Sequence, residues 1–263
     1  MSSSISILIP SWNGLHLLLE NLPSVCAAAE RYERETGSET EILVVDDGSE
    51  DNTSSQLIPQ FPRIRLILRQ QNAGFAIACN TGFSQCRFPL VALLNNDVWI
   101  SEDYFLHQAA HFQNPRVFAV TAKVFEWEQP VFATGGKFAH FRKGFWSVYF
   151  NYDVNISNRS IWVKDQKLLS AYGVGGFSTY SKVKLKELGG FNQLLSPFYW
   201  EDIDLSYRGW KRGWEIHYEP RSIARHRTSA TINTRYRKKL VKEIATRNRL
   251  LFHWINLHSP TFL

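Results

Sequence analysis

The sequence predicts an α/β fold, a mostly parallel sheet flanked by helices, on three observations. Short apolar runs alternate with longer amphipathic stretches through the first half of the 263-residue chain, the pattern of strands joined by crossover helices. Each of three runs is followed by polar or glycine-rich sequence: Pro10-Ser11-Trp12-Asn13-Gly14, Asp46-Asp47-Gly48-Ser49 and Asn95-Asn96-Asp97. Parallel strands point the same way, so these loops fall along one sheet edge, where open α/β sheets bind ligands.

Taken in order, residues 5–9 read as the first strand, 15–30 as a helix, 41–45 as a strand and 51–58 as a short helix. Residues 64–68 follow as a strand, 73–86 as a helix and 90–94 as a fourth strand. From 123 to 167 the alternation is lost and aromatics accumulate, including Phe125, Phe138, Trp146, Tyr152 and Trp162. Core packing of a small β-subdomain is the default for most of them, with stacking on sugar rings the alternative. A strand at 172–180, a helix at 181–188, a helix starting near Glu201 and a strand at 215–218 complete the reading. No repeat, low-complexity segment or linker separates two independent domains.

Charge is unevenly placed. Of a formal net charge of +6, residues 221–263 hold +9, from ten Lys or Arg against Glu243, leaving −3 for the rest. Tyr236, Leu240, Ile244, Leu251 and Ile255 recur at nearly helical spacing with Arg235, Lys238, Lys239, Lys242 and Arg249 between them, which makes a basic amphipathic helix. It either packs on the domain with a solvated basic face or attaches to an anionic membrane surface, aided by Phe252, Trp254, Ile255 and Leu257. No nucleic-acid module is recognisable, so no nucleic acid is expected. No apolar run approaches the ~20 residues of a membrane span, and no signal core precedes the first strand. The expected place is the cytoplasm, including the cytoplasmic face of the membrane. Cys26, Cys79 and Cys86 are odd in number and lack CxxC spacing, so reduced thiols are expected.

Asp97 is the leading candidate for chemistry, because an apolar strand delivers it with two amides to the ligand-binding edge. A strand-end acid is often only a helix cap, but Ser101, with Glu102 and Asp103 behind it, is better placed for that. A hard divalent cation such as Mg²⁺ needs only one or two protein carboxylates when substrate phosphates supply other ligands. Asp46 and Asp47 sit in a turn-like tract whose position beside Pro10–Asn13 favours a nucleotide pocket. Asn72 and Gly74 open a helix, whose N-terminus favours anions. Glu201, Asp202 and Asp204 follow Phe198-Tyr199-Trp200, which would partly bury them; Asp202 is the choice for a general base. His226 is either an ordinary surface residue or a second metal ligand with Asp97.

Five motifs in order now carry a resemblance. Residues 5–13, Val44-Val45-Asp46-Asp47-Gly48-Ser49, Asn72-Ala73-Gly74-Phe75-Ala76, Leu94-Asn95-Asn96-Asp97 and Trp200-Glu201-Asp202-Ile203-Asp204-Leu205 are similar to those of family 2 glycosyltransferases. The resemblance spans residues 5 to 231. It implies the GT-A fold, a Rossmann-like sheet with an aromatic-rich acceptor-side region, and an inverting reaction using a nucleotide-diphosphate sugar. By resemblance, Asp97 is the last acid of the DxD metal motif, His226 a further ligand for Mg²⁺ or Mn²⁺, and Asp202, with Glu201 beside it, the catalytic base. The nucleotide-sugar site comprises Pro10, Ser11, Trp12, Asn13, Asp46, Asp47, Asn72, Gly74, Asn95 and Asn96. Gly175, Gly176, Trp200 and Asp204 fall to the acceptor side, as does 188–191. Residues 1–232 then form one domain, with a nucleotide-sugar half (1–122) and an acceptor half (123–232), followed by the helix of 233–263.

The Asn-Asn-Asp form of the metal motif is similar to rhamnosyltransferase-like members. The resemblance implies a dTDP- or UDP-sugar as donor and a glycan or lipid-linked acceptor. A nucleotidyltransferase is the enzymatic rival, opposed by the lack of a basic GxG-type phosphate loop; a silent sugar-nucleotide or glycan-binding module is the other.

Overall fold

Side-chain alternation along β1 (Ile5–Ser11) explains why helices cover both faces of the sheet. Ile5, Ile7 and Ile9 pack with α1 (Leu15–Thr36), whereas Leu8 packs with α3 (Phe75–Gln85) on the opposite face, as the two-residue strand period requires. The computed structural model describes residues 3–142, 144–153, 163–164, 167–227 and 236–258; Trp162 and Arg235 fall outside them. α1 buries Leu17, Leu18, Leu22, Val25 and Tyr32, each large apolar side chain contributing about 1.5–3 kcal/mol. It runs past the predicted end to Gly37, whose φ of +68° terminates it in the left-handed region. α3 lies so close to β1 that a Cβ on Gly82 would stand 2.2 Å from Leu8.

The remaining early elements lie where expected: β2 (Thr40–Asp46), α2 (Thr53–Gln60), β3 (Ile64–Leu68) and β4 (Leu90–Leu94). The chain continues through β5 (Val98–Ile100), α4 (Tyr104–Ala110), β6 (Val117–Glu126) and β7 (Phe132–Thr134). β8 (Gly136–Arg142) and β9 (Phe145–Tyr152) form a separate antiparallel ribbon, and β10 (Val163–Lys164) pairs with β11 (Lys167–Leu168). β12 (Phe177–Ser181), α5 (Lys182–Leu188), α6 (Glu201–Trp210), β13 (Glu215–His226) and α7 (Lys238–Asn256) complete the described elements.

The main sheet has the order β3-β2-β1-β4-β12-β6-β13-β5, with β7 on β6. β3, β2, β1, β4, β6 and β13 run one way; β12 and β5 run against them. The sheet is mostly parallel, as predicted.

Four sequence expectations are corrected. β6 had no assignment, because its Val117–Ala122 half is wholly buried and shows no alternation to read. β12 starts at Phe177, not 172, since Gly176 at φ +92° breaks the extended run. β13 continues from Tyr218 to His226 because a register shift between Glu219 and Ile223 absorbs Pro220. α4 starts with Asp103, not Ser101, at its N-cap position.

In the middle region the core reading holds for several aromatics: Trp146 meets Tyr207 edge-on at 5.2 Å and Tyr152 meets Tyr218 at 5.6 Å. α7 packs by Ile244, Asn248, Phe252 and Asn256. Phe252 is therefore not the membrane-facing residue the sequence suggested; it is buried against Trp200 and Tyr207. Trp254 is 83% exposed. Among the described residues no helix is long and apolar enough to cross a membrane. All three cysteines are free, Cys79 and Cys86 buried and Cys26 half-buried.

A buried histidine pair joins β13 to the turn after α4. His111 Nδ1 and His217 Nδ1 are 2.9 Å apart; His111 Nε2 lies 2.9 Å from Glu219 and His217 Nε2 3.1 Å from Glu215. Burial pushes His217 below its ordinary value, against the pull of Glu215. Burial alone would raise Glu219, but hydrogen bonds from Arg221 and His111 hold it well below the carboxylate range. Arg116 and Lys164 flank Glu215. Both shifts mean that the unfolded chain binds protons more readily. Their stabilisation is thus complete above about pH 6.5 and is lost as the pH falls. The melting midpoint should drop on acidification below about pH 6.5, and less so in His217→Gln; equal pH slopes for the two proteins would refute this origin.

Candidate active site

β4 ends at Leu94 and the chain turns through Asn95-Asn96-Asp97 into β5, which pairs antiparallel with the end of β13 and sets His226 opposite Val98. That register brings His226 Nε2 to 3.3 Å from Asp97 Oδ1. Phe177 meets the imidazole edge-on at 4.9 Å. Asp97 is buried, and its Oδ1 accepts no hydrogen bond among the described residues. A buried carboxylate oxygen without a donor is costly unless a cation meets it. One carboxylate and one imidazole suit Mg²⁺ or Mn²⁺, provided that phosphate and water supply the other ligands. Among the described residues no cluster of three or more His, Cys, Asp or Glu could hold a metal unaided.

The second acidic group is aimed by strained backbone. Tyr199 and Trp200 have φ values of +74° and +76°, a left-handed conformation costing roughly 1–2 kcal/mol per residue. What holds them is Asn248 of α7, whose Nδ2 donates to the carbonyls of Leu195, Phe198 and Tyr199 at 2.6, 2.9 and 2.9 Å. Trp200 packs on Phe252 at 5.3 Å, and the turn leads straight into α6. Asp202 Oδ2 accepts from the Gly175 N–H at 3.0 Å and Oδ1 from the Ile203 N–H at 2.8 Å.

Burial pushes both Glu201 and Asp202 up, and the Asp202 charge raises Glu201 further, to well above the carboxylate range. The two N–H donors and the charge of Lys137 counteract this at Asp202, whereas Glu201 Oε2 has no hydrogen-bond partner among the described residues. Of the two, Glu201 is thus the carboxyl held more strongly toward its protonated form, and Asp202 the one whose charge has partners. Burial brings Lys137 down to about 8, against the pull of Asp202.

A cavity of 570 Å³ joins the two groups. Pro10, Ser11, Trp12, Asp47, Asn72, Gly74, Asn95 and Asn96 line it with Asp97 and His226, as do Gly175, Trp200, Glu201 and Asp202. Four candidate residues do not line it. Asn13 Oδ1 accepts from the Glu50 N–H, and Asp46 Oδ1 from the Ser49 N–H, so both brace turns. Gly176 permits close approach: a Cβ there would stand 2.4 Å from the Asn95 side chain. Asp204, placed on the acceptor side by the sequence, is fully buried between Arg208 at 2.8 Å and Asn256 at 2.7 Å.

Two other candidates have a bracing role. Asp47 lines the cavity, but it accepts from Arg69 at 2.7 Å and from the N–H groups of Ala73 and Gly74 at 3.0 and 2.9 Å. It shapes the 72–74 loop. The 188–191 segment is likewise a turn held to α6, with Arg208 donating to the carbonyls of Leu188 and Gly190.

Sequence reasoning missed Phe75, Tyr172, Tyr236 and Ala245 as lining residues, and missed Asn248. A polar residue within the apolar stripe of a helix, four after Ile244 and three before Leu251, was the available signal for Asn248. Asn248→Ala should cost about 1–3 kcal/mol of stability through unsatisfied carbonyls. It should also lower kcat about tenfold or more, because the turn aiming Asp202 loosens. Melting curves and steady-state kinetics check both, and unchanged kcat would contradict the second.

Residues 6–188 match the family described as Glycosyl transferase family 2. The chain belongs to this family. As a family 2 glycosyltransferase it is 27% identical to the poly-beta-1,6-N-acetyl-D-glucosamine synthase of Staphylococcus epidermidis over 225 residues, 83% of this chain and 48% of that one. It is 31% identical over 99 residues to the Escherichia coli UDP-Glc:alpha-D-GlcNAc-diphosphoundecaprenol beta-1,3-glucosyltransferase WfgD, covering 37% of this chain and 36% of that one. The chain thus spans less than half the length of these relatives.

The fold is GT-A. Similar solved structures include the mannosyltransferase PcManGT of Pyrobaculum calidifontis in complex with GDP-Man and Mn²⁺, with TM-score 0.66 and 16% identity over 100% of this chain and 67% of that one. GalNAc-T7 with UDP, GalNAc and Mn²⁺ is another, with TM-score 0.68 and 16% identity over 86% and 44%.

Proposed function

We infer that this family 2 glycosyltransferase moves a sugar from a nucleoside-diphosphate sugar to a hydroxyl of a glycan or lipid-linked acceptor, with inversion. The observation carrying this reading is that the Asp97–His226 pair and the Asp202 carboxylate open into one cavity. Residues 1–122 act as the donor half and 123–232 as the acceptor half, with α7 completing the acceptor wall through Ala245.

Asp202 takes the proton of the acceptor hydroxyl as that oxygen bonds to the anomeric carbon. The bond from carbon to the diphosphate breaks with its electron pair staying on the diphosphate, a leaving group that needs little protonation. A divalent metal held by Asp97 and His226 supplies, when bound, neutralisation of that departing charge. Glu201, held toward its uncharged form, avoids a second repulsive anion beside the base.

Relatives named for N-acetylglucosamine and glucose transfer, and neighbours holding GDP-Man or UDP, support a hexosyl donor; rhamnose on dTDP is the alternative suggested by Asn95-Asn96-Asp97. Outward-facing Leu240, Leu250 and Trp254 beside lysines support peripheral contact with an anionic membrane at the cytoplasmic face.

Calorimetry with UDP, dTDP and GDP, with and without Mn²⁺ or Mg²⁺, followed by mass-spectrometric detection of transfer from a sugar-nucleotide panel, tests the reading. One nucleoside diphosphate should bind about tenfold or more tightly with metal than without. Pyrophosphate release from a nucleoside triphosphate would establish a nucleotidyltransferase instead, and binding without transfer a silent module.

A further inference from the structure

One polar residue interrupts the buried face of α1. Asn21 is 3% exposed and lies among Leu17, Leu18, Leu22 and Val25, where an amphipathic helix would carry an apolar side chain. Its Nδ2 donates to the Leu17 carbonyl at 2.8 Å within the helix and to the distant Asn96 carbonyl at 3.0 Å. Turning the amide over would set its oxygen against both carbonyls, so the orientation is fixed. Oδ1 is then left buried without a hydrogen bond among the described residues. An orphaned buried oxygen is costly, and what asparagine adds over leucine here is the hold on Asn96.

The Asn96 carbonyl belongs to the peptide that enters Asp97. On the other side of that residue, the Asp97 carbonyl accepts from the Arg227 N–H at 3.3 Å, and the Arg227 guanidinium meets both carboxylate oxygens of Glu20 at 3.1 Å. Consecutive residues of α1 thus grip the residue before Asp97 and the residue after His226. Ser24 Oγ, a turn further along, accepts from the Ile100 N–H at 3.3 Å, which ties β5 to the same helix. These contacts bracket the pair whose Asp97 Oδ1 and His226 Nε2 stand 3.3 Å apart. Of the described residues that line the cavity, none belongs to α1, so its influence on the site passes through the backbone it holds.

We propose that Asn21, assisted by Glu20, is a positioning residue for the divalent metal, with α1 holding Asp97 and His226 at the spacing that lets both ligate one ion. This rests on the reading of that pair as metal ligands, which it deepens by naming what sets their geometry. Groups that orient metal ligands from behind typically govern about 10–100-fold in metal affinity.

The test uses full-chain wild type, N21L and E20Q. Each is titrated by calorimetry with UDP, dTDP and GDP, with and without Mn²⁺, and Mn²⁺ binding alone is followed by loss of the free-ion electron paramagnetic resonance signal. Leucine fills similar space within an apolar stripe, so N21L should bind metal-free nucleotide as wild type does. Its Mn²⁺ affinity should be about tenfold or more weaker, and the gain in nucleotide affinity that Mn²⁺ confers should shrink correspondingly. E20Q, at an exposed site, should move the same way by about two- to threefold. A merely structural role for Asn21 would shift the melting midpoint and leave the metal gain untouched.

A wild-type metal gain in N21L overturns the proposal; if N21L does not fold, a wild-type gain in E20Q does so. No metal gain in wild type with any of the three nucleotides, and no Mn²⁺ bound, would instead remove the Asp97–His226 metal site and the proposal with it.

Discussion

Asp202→Asn should lower kcat by roughly 10²–10⁴-fold, the range that a positioned general base contributes, while donor affinity stays within a few-fold. The amide keeps the shape and one carbonyl oxygen, so it can still accept from the Gly175 N–H, which donates to Asp202 Oδ2 in the native protein. It cannot accept the hydroxyl proton. The same residue sets a pH limb. Burial raises the Asp202 carboxyl above its ordinary value, so the ionised base is lost as the pH falls through that raised value, and kcat/KM should decline at a higher pH than an unperturbed aspartate would give. Glu201 and Lys137 are the titratable groups that bear on it, and Asp204 acts on Glu201. Substantial kcat in Asp202→Asn would remove Asp202 from the mechanism.

Asp97→Ala should abolish the increase in nucleotide affinity and in melting midpoint that Mn²⁺ or Mg²⁺ confers. Several kcal/mol of charge neutralisation depend on the metal, and each 1.4 kcal/mol lost is about tenfold in affinity or rate. The metal-free variant should melt close to wild type, since the carboxylate it removes has an Oδ1 that accepts no hydrogen bond among the described residues and meets His226 only at 3.3 Å. That combination separates a metal ligand from a structural acid. Removing Asp204, paired with Arg208 and Asn256, would destabilise the fold outright. A metal-induced melting shift of wild-type size in Asp97→Ala would refute the ligand role.

Much of this site could be read from local pattern. Strand-end loops along a parallel sheet converge by geometry, so the loops 10–14, 46–49 and 95–97 were placed together without coordinates, and Pro10, Ser11, Trp12, Asp47, Asn95, Asn96 and Asp97 of them line the cavity. Asn13 and Asp46 sat in the same motifs, yet their side chains turn to the Glu50 and Ser49 N–H groups. A spacing rule places the backbone, whereas the direction of a short polar side chain depends on which donor is nearest. Asp204 fails for a related reason: Asp202 and Asp204 lie on different sides of α6, one facing the cavity and the other the buried Arg208 and Asn256.

Periodicity, turn chemistry and motif order were enough to establish the α/β class, the order of the early strands and the family, because those signals act within a few residues of the chain. Register and docking were decided only by the assembled molecule. The pairing of β5 with β13 makes neighbours of Asp97 and His226, and the placement of α7 puts Asn248 beneath the Tyr199–Trp200 turn and Ala245 in the cavity wall. Each contact joins residues far apart in the chain, and buried strands such as β6 carry no alternation to announce a partner. Their energetics come from packing and hydrogen bonds that exist once the sheet has closed.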